Sequence, residues 1–280
     1  MKQYEKAAGG HRRFPTPGWK KNVDYTLYLC TDRSLMSSQT LEEGLEAALQ
    51  GGCTLVQLRE KECSSREFYR LAVNIKRITA AYNVPLIIND RVDVALAAGA
   101  DGVHVGQEDL PVREVRQLLG EERLLGVSAS TLEEAQRAQS EGADYLGVGA
   151  MYQTATKSEA AAVSMAELRA IRQAVTLPLV VIGGINEYTA EDFRGTGIDG
   201  FAVVSALIAQ RDVYKRQIKY NVRIMVYRYI LKGLFSIGTN LNRANIGVLE
   251  NKGNSIIGSL KPEEETCDLA YDTIEDMING

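Results

Sequence analysis

The feature that most constrains this chain is a recurring pair of patterns. Eight short apolar runs, rich in Val, Ile and Leu, occupy residues 25–30, 53–58, 85–89, 102–105, 124–127, 145–149, 178–182 and 200–204. Between them lie stretches with helical spacing, at 40–50, 64–82, 92–98, 111–119, 131–141, 164–175 and 189–194. The runs are continuous rather than alternating, so as strands they need cover on both faces, which is the condition of a parallel sheet under helices. Eight such strands in succession, separated by helical stretches, predict a (β/α)8 TIM barrel over residues 23–212 rather than an open sheet.

Local signals agree with this division. Thr40 is placed to cap the first helix and Gly51-Gly52 to stop it. Ser64 or Ser65 caps the second, with Glu67 in its first turn. Pro111 falls at the start of a helix, where its missing N–H is harmless. A Gly-Ala-Asp phrase closes two helices, at Gly99-Ala100-Asp101 and Gly142-Ala143-Asp144, and recurs in degenerate form at Gly197-Ile198-Asp199.

Residues 1–22, polar and basic with Pro15 and Pro17, read as an N-terminal extension outside the core. After Asp212 the rhythm ends. Residues 213–234 carry six basic side chains and no acid, and Ile218, Val222, Met225, Val226, Tyr229 and Ile230 recur at helical spacing, so a basic amphipathic helix is expected. An Asn/Gly-rich stretch and an acidic end, expected to be mobile, complete an atypical tail over 213–280.

Composition narrows the function. A net charge of -4 gives no reason to expect nucleic acid. No run reaches the ~18 apolar residues of a membrane span or resembles a signal peptide, so a cytoplasmic protein without a membrane partner is expected. Cys30 and Cys53 lie in apolar runs and the four cysteines show no metal spacing, which predicts buried, reduced thiols. With only His11 and His104 present, a His-based triad or a zinc site is not expected. A homo-oligomer is compatible with the sequence, which does not fix the oligomeric state.

In such barrels the chemistry sits at the C-terminal ends of the strands. Those positions hold Arg59 and Lys61 after strand two, Asn89 and Asp90 after strand three, and Gly106 to Asp109 after strand four. Ser128 follows strand five, Thr154, Ala155, Thr156 and Lys157 follow strand six, Gly183-Gly184 strand seven and Ser205 strand eight. Arg59 and Lys61 suit a di- or triphosphate, since Arg forks onto two phosphate oxygens and Lys adds a mobile charge; a solvated loop salt-bridged to Glu60 is the other reading. Asp90 and Asp109 are candidates for Mg2+, which takes one or two carboxylates with phosphate oxygens and water. Equally, Asp90 could cap a helix or pair with Arg91, and Asp109 could cap the helix at Pro111. Gly183-Gly184 and Ser205 suit phosphate held by backbone N–H groups, with a plain turn as the competing reading for the glycines. His104, inside an apolar strand, reads as a core or supporting residue rather than a base.

Taken together and in order, Gln57-Leu58-Arg59-Glu60-Lys61, Asn89-Asp90-Arg91, the run from Gly102 to Pro111, Gly126-Val127-Ser128, Thr154-x-Thr156-Lys157, Ile182-Gly183-Gly184-Ile185 and Val204-Ser205 resemble the thiamine-phosphate synthase family. The resemblance covers residues 24–205. It implies condensation of 4-amino-2-methyl-5-hydroxymethylpyrimidine diphosphate with a thiazole phosphate, or its carboxylated form, releasing pyrophosphate. It implies that Gln57, Leu58, Arg59, Glu60, Lys61, Asn89, Ser128 and Lys157 hold the pyrimidine diphosphate, with Arg59, Lys61, Ser128 and Lys157 catalytic. It further implies that Asp90 and Asp109 hold Mg2+ and that Thr154, Ala155, Thr156, Gly184, Val204 and Ser205 hold the thiazole phosphate. Pyrophosphate departure needs cations around developing negative charge but no general base, in keeping with the shortage of histidine. A thiazole tautomerase relative would use a histidine after strand five, where this chain has Ser128-Ala129-Ser130. A barrel that binds thiamine precursors without turnover is a further reading, because relatives close with one more helix where this chain has its tail. A second departure is Tyr152-Gln153 where many relatives have Phe-Pro, with a small effect on loop stiffness expected.

Overall fold

The computed structural model describes residues 18–152, 162–186 and 188–209. Eight parallel strands form one closed barrel in sequence order. They are β1 (Leu27–Cys30), β2 (Leu55–Leu58), β3 (Leu86–Asn89), β4 (Gly102–Val105), β5 (Leu124–Ala129), β6 (Tyr145–Val148), β7 (Leu179–Ile182) and β8 (Gly200–Val203). Closure is made by β8 on β1, with Leu27 beside Phe201 and Leu29 beside Val203. Around it run α1 (Leu41–Gln50), α2 (Ser65–Ala81), α3 (Val92–Ala98), α4 (Val112–Leu119), α5 (Leu132–Ser140), α6 (Met165–Ala174) and the short α7 (Ser205–Ile208).

Alternation along the strands sorts side chains into two cores. Leu27, Leu29, Val56, Leu58, Ile88, Val103 and Val105 point outward and pack with the helices. Tyr28, Cys30, Leu55, Ile87, Leu124, Tyr145, Val180 and Ala202 fill the barrel interior. Each interior residue fixes its neighbour two positions on, so Gln57, Asn89, His104, Gly126 and Ser128 also face inward, nearer the C-terminal mouth. Cys30 and Cys53 are buried free thiols, as expected, and burial pushes both up to about 12.

The helix caps follow the sequence signals. Thr40 accepts from the Glu43 N–H, and Ser64 and Glu67 form a reciprocal capping box. Three local expectations change. Pro111 occupies the cap position of α4 rather than its first turn. β5 runs on to Ala129, so Ser128 lies within a strand and not after one. Residues 189–194, read as a helix, form a 3-10 turn over Thr189–Phe193, ended by Gly195 and Gly197 at positive φ. Trp19, in the stretch expected outside the core, packs against the interior cluster at the N-terminal face and donates through Nε1 to the Glu122 carbonyl at 3.0 Å.

The Gly-Ala-Asp repeat has a structural role beyond ending helices. Asp101 accepts from the Leu86 N–H at 2.7 Å, Asp144 from Leu125 N–H at 2.8 Å and Asp199 from Leu179 N–H at 2.9 Å. Each also pairs with a base on the even-numbered helix two elements earlier: Lys76 of α2, Arg116 of α4 and Arg172 of α6. Thr54 takes the fourth place, with its Oγ1 on the Leu27 N–H at 3.0 Å. The barrel is therefore tied at its N-terminal face by four clamps at corresponding positions, one for every second strand. Residues 1–17 and 210–280, which include most of the extension and all of the tail, lie outside the described residues.

Candidate active site

The C-terminal mouth gathers charges read from the sequence, and among the described residues Arg59, Glu60, Lys61 and Asp90 each meet an opposite charge. The loop after β2 begins with the Arg59 N–H on Thr31 Oγ1 at 3.0 Å. The Arg59 guanidinium reaches Asp32 at 3.4 Å and remains a third exposed. Lys61 Nζ lies 2.8 Å from Asp90 and is half exposed. The loop is thus held by partners on neighbouring strands while its cationic heads face the opening. Glu60 does pair, but with Arg33 after β1, at 2.5 Å and with its carboxylate almost wholly buried. Leu58 likewise points outward and is fully buried against the helices, so only its backbone borders the opening.

Asp90 follows β3 at a positive φ of 63°, a left-handed conformation that a non-glycine residue adopts at some strain. Its N–H is held by the His104 carbonyl at 2.8 Å, which aims the carboxylate across to the next strand. It does not pair with Arg91, whose guanidinium goes to Asp93. Nor does Asp109 cap α4: one of its oxygens accepts from the Gly106 N–H at 2.7 Å. The two carboxyl groups come within hydrogen-bonding reach of each other; burial, and then Asp90 as a proton-sharing neighbour, raise the Asp109 carboxyl above its ordinary value. Two carboxylates in such contact need a proton or a cation between them, and Lys61 satisfies only one side. Among the described residues no cluster of three or more His, Cys, Asp or Glu side chains could hold a metal alone.

Asn89 ends β3 at the mouth and Ser128 sits half-buried on β5 with its Oγ 3.0 Å from His104 Nε2. Gln57 is buried and donates from Nε2 to Tyr28 Oη at 2.7 Å. After β7, Gly183 and Gly184 have φ of 97° and 69°, and a Cβ on Gly184 would stand 2.7 Å from Tyr152 Cβ, so both backbone and space demand glycine. Tyr152 Oη in turn reaches Asp192 at 2.5 Å, and its phenol is pushed up to about 12, first by burial and then by that carboxylate. The tyrosine thus ties the segment after β6 to the turn after β7, a bond that a phenylalanine could not make. Val204 packs on the interior cluster and Ser205 opens α7. Thr154, Ala155, Thr156 and Lys157 lie outside the described residues.

Sequence reasoning missed the β1 end and two interior tyrosines. Thr31, Asp32 and Arg33 organise the cationic loop, and the strand-end rule applied to β1 would have found them. Tyr28 and Tyr145 sit at inward positions where a buried hydroxyl needs a partner, a signal visible in the strand alternation.

A closed parallel barrel with cations, paired carboxylates and bare glycine backbone at one mouth is the architecture of an enzyme acting on phosphorylated small molecules. A family model described as thiamine monophosphate synthase matches residues 27–207. The chain is 59% identical over 196 residues to a thiamine-phosphate synthase of Clostridium botulinum, covering 70% of this chain and 92% of that one. A Clostridium beijerinckii thiamine-phosphate synthase is 59% identical over 194 residues, covering 69% and 93% of the two chains. Among solved structures, a thiamine phosphate pyrophosphorylase from Pyrococcus furiosus superposes with a TM-score of 0.66 at 36% identity, over 74% of this chain and 98% of that one. The chain belongs to the thiamine monophosphate synthase family.

Proposed function

We propose that this barrel joins 4-amino-2-methyl-5-hydroxymethylpyrimidine diphosphate to a thiazole phosphate, giving thiamine phosphate and pyrophosphate. Beyond family membership, the observation that carries the reading is the fan of cations at the mouth. Arg59 and Lys61 are each anchored by one carboxylate yet keep solvent-facing surface for a diphosphate. Fixed cations aimed at a departing pyrophosphate stabilise charge that develops only in the transition state. The electron-rich pyrimidine then carries a methylene cation, which the thiazole nitrogen attacks without losing a proton. No general base is required.

In this reading Gln57, Asn89 and Ser128 orient the pyrimidine diphosphate, with the backbone at Leu58 and Glu60 bordering it and Lys157 completing the cationic set. The thiazole phosphate lies against Gly184, Val204 and Ser205, together with Thr154, Ala155 and Thr156. Asp90 and Asp109 suit Mg2+: they meet across adjacent strands, and two carboxylates leave the remaining positions to phosphate oxygens and water. When bound, the ion neutralises diphosphate charge and assists departure of the leaving group. The chain's own residues hold the carboxylates ready: His104 through its carbonyl, Gly106 through its N–H and Lys61 through its ammonium.

Steady-state turnover with both substrates and Mg2+ tests the reading, with Lys61→Ala beside the parent chain. The expected result is Mg2+-dependent release of pyrophosphate, reduced on the order of 10²-fold or more in kcat by the substitution while the fold is retained. Binding of both precursors without turnover would replace the synthase by a binding barrel. Near-parental rates for Lys61→Ala at saturating substrate would return the loop to a solvated salt-bridge network.

A further inference from the structure

Across the barrel interior runs a line of side chains whose middle members, Tyr28, Tyr145 and the His104 ring, have no part in the roles above. Gln57 Nε2 donates to Tyr28 Oη at 2.7 Å. Tyr28 Oη lies 2.7 Å from Tyr145 Oη. Tyr145 Oη lies 3.1 Å from His104 Nδ1. His104 Nε2 lies 3.0 Å from Ser128 Oγ. The line therefore joins β2, β1, β6, β4 and β5, and its two ends are both at the mouth. Tyr28 is 1% and Tyr145 0% exposed, and Gln57 and His104 are 5% and 8% exposed, so water does not substitute for a missing partner along it.

Space for the line is built in. A Cβ on Gly126 would stand 2.1 Å from the Tyr145 ring and 2.4 Å from His104 Nδ1, and one on Gly147 would stand 2.9 Å from His104 Cε1. Two strands thus give up their side chains where the histidine and tyrosine cross the barrel.

Counting hydrogens gives the line a direction. Among the described residues Tyr28 Oη has two hydrogen-bond partners, the Gln57 amide and Tyr145 Oη. The amide N–H is a donor only. Tyr28 must then give its single hydrogen to Tyr145, since otherwise that hydrogen would be buried without an acceptor. Tyr145, having accepted, gives its own hydrogen to His104 Nδ1. A neutral imidazole has one N–H, which is left on Nε2 and donates to Ser128 Oγ. Ser128 accepts from the ring, and its own hydroxyl hydrogen is released toward the mouth.

We propose that Tyr28, Tyr145 and His104 are positioning residues: they carry the orientation of the Gln57 amide across the barrel, fix the His104 proton on Nε2, and set Ser128 as a hydrogen-bond donor to the substrate. The opposite amide orientation would reverse every bond and leave Ser128 able only to accept, so the two ends of the line are coupled. The substrate part rests on the synthase reading; the direction of the line does not.

The test reads the imidazole directly. The full chain is labelled with 15N-histidine at neutral pH, with His11→Ala assigning the second ring, and the proton is located from the one- and two-bond 1H–15N couplings. The expected result is a single Nε2–H tautomer for His104 without substrate. An Nδ1–H tautomer, or a ring protonated on both nitrogens, would overturn the assigned direction. Tyr28→Phe removes one oxygen and disconnects Gln57 from Tyr145; the expected result is a mixture of the two tautomers. Gln57→Met makes the same cut from the other end and serves where the phenylalanine variant does not fold. A pure Nε2–H tautomer in a folded variant would overturn the coupling. In the synthase assay Tyr28→Phe lowers kcat/KM by about five- to tenfold, the worth of one misdirected hydrogen bond. A parent chain with no turnover would refute the synthase reading while leaving the tautomer result to stand.

Discussion

At the scale of single residues, the mouth is a set of matched charges with one imbalance. Arg59, Glu60 and Lys61 each meet an opposite charge, whereas Asp90 and Asp109 face one another. Burial, followed by Asp90, raises the Asp109 carboxyl, so the folded chain holds that proton more tightly than the unfolded chain. The contribution to stability is therefore fully present below the ordinary carboxylate range and is lost as pH rises through the raised Asp109 value. Asp109→Asn cannot titrate, and its carbonyl oxygen can still accept from Gly106. In the absence of Mg2+, the melting temperature of the parent chain relative to Asp109→Asn is expected to fall as pH rises through that window, measured by calorimetry. A relative rise would show that the two carboxylates are not sharing a proton. The sequence placed both aspartates at adjacent strand ends but left caps and local ion pairs open as alternatives. Only the left-handed backbone at Asp90 and the Gly106 N–H under Asp109 distinguish them, and neither is written in residue type.

At the scale of elements, strand and helix order was legible because each run carries its own signal: β-branched residues for strands, Thr40 and Ser64 for helix starts, glycine for stops. The 3-10 turn at Thr189–Phe193 was less legible, because so short a stretch bounded by glycines suits either helix type. What the sequence showed only as a repeat, the structure explains as a clamp, since an aspartate reaching back to the previous strand's N–H is a tertiary bond. The clamps differ in exposure, and this gives a ranking. Asp144 is 19% exposed and serves Leu125 N–H, Arg116 and Lys20. Its loss strands a buried N–H and leaves an almost buried guanidinium with backbone carbonyls but no carboxylate, so Asp144→Ala is expected to cost about 2–4 kcal/mol. Asp199 is 45% exposed, with a looser partner in Arg172 at 3.3 Å, and solvent screens it; Asp199→Ala is expected to cost about 1 kcal/mol. Urea unfolding of the two variants checks the order, and equal losses would mean that burial does not govern the clamp.

At the scale of the whole molecule, the barrel separates stability from chemistry. The clamps and Trp19 lie at the N-terminal face, and the proposed substrate residues lie at the C-terminal mouth, with the ring of Tyr25, Leu124 and Val180 and the line of Tyr28 and Tyr145 between them. Closure needs only β8 on β1, which is complete at Val203, and no residue assigned to the mouth lies beyond Ser205. The family match also ends at residue 207. The chain downstream of β8 can then matter to the barrel mainly as cover for the outer face beside α1 and α7. The apolar stripe from Ile218 to Ile230 is the one downstream pattern suited to that use, and each such side chain buried contributes roughly 1.5–3 kcal/mol. Against a net stability of about 5–15 kcal/mol, several of them would be a large share. A chain ending at Asp212 is accordingly expected to melt lower and to be less soluble while retaining its intrinsic kcat, measured on the folded fraction. A chain ending at Leu260 is expected to match the full chain in both. If removal of residues 261–280 abolished turnover in a protein that still melts cooperatively at the parental temperature, the acidic end would belong to the mouth, and the separation of the two faces would fail.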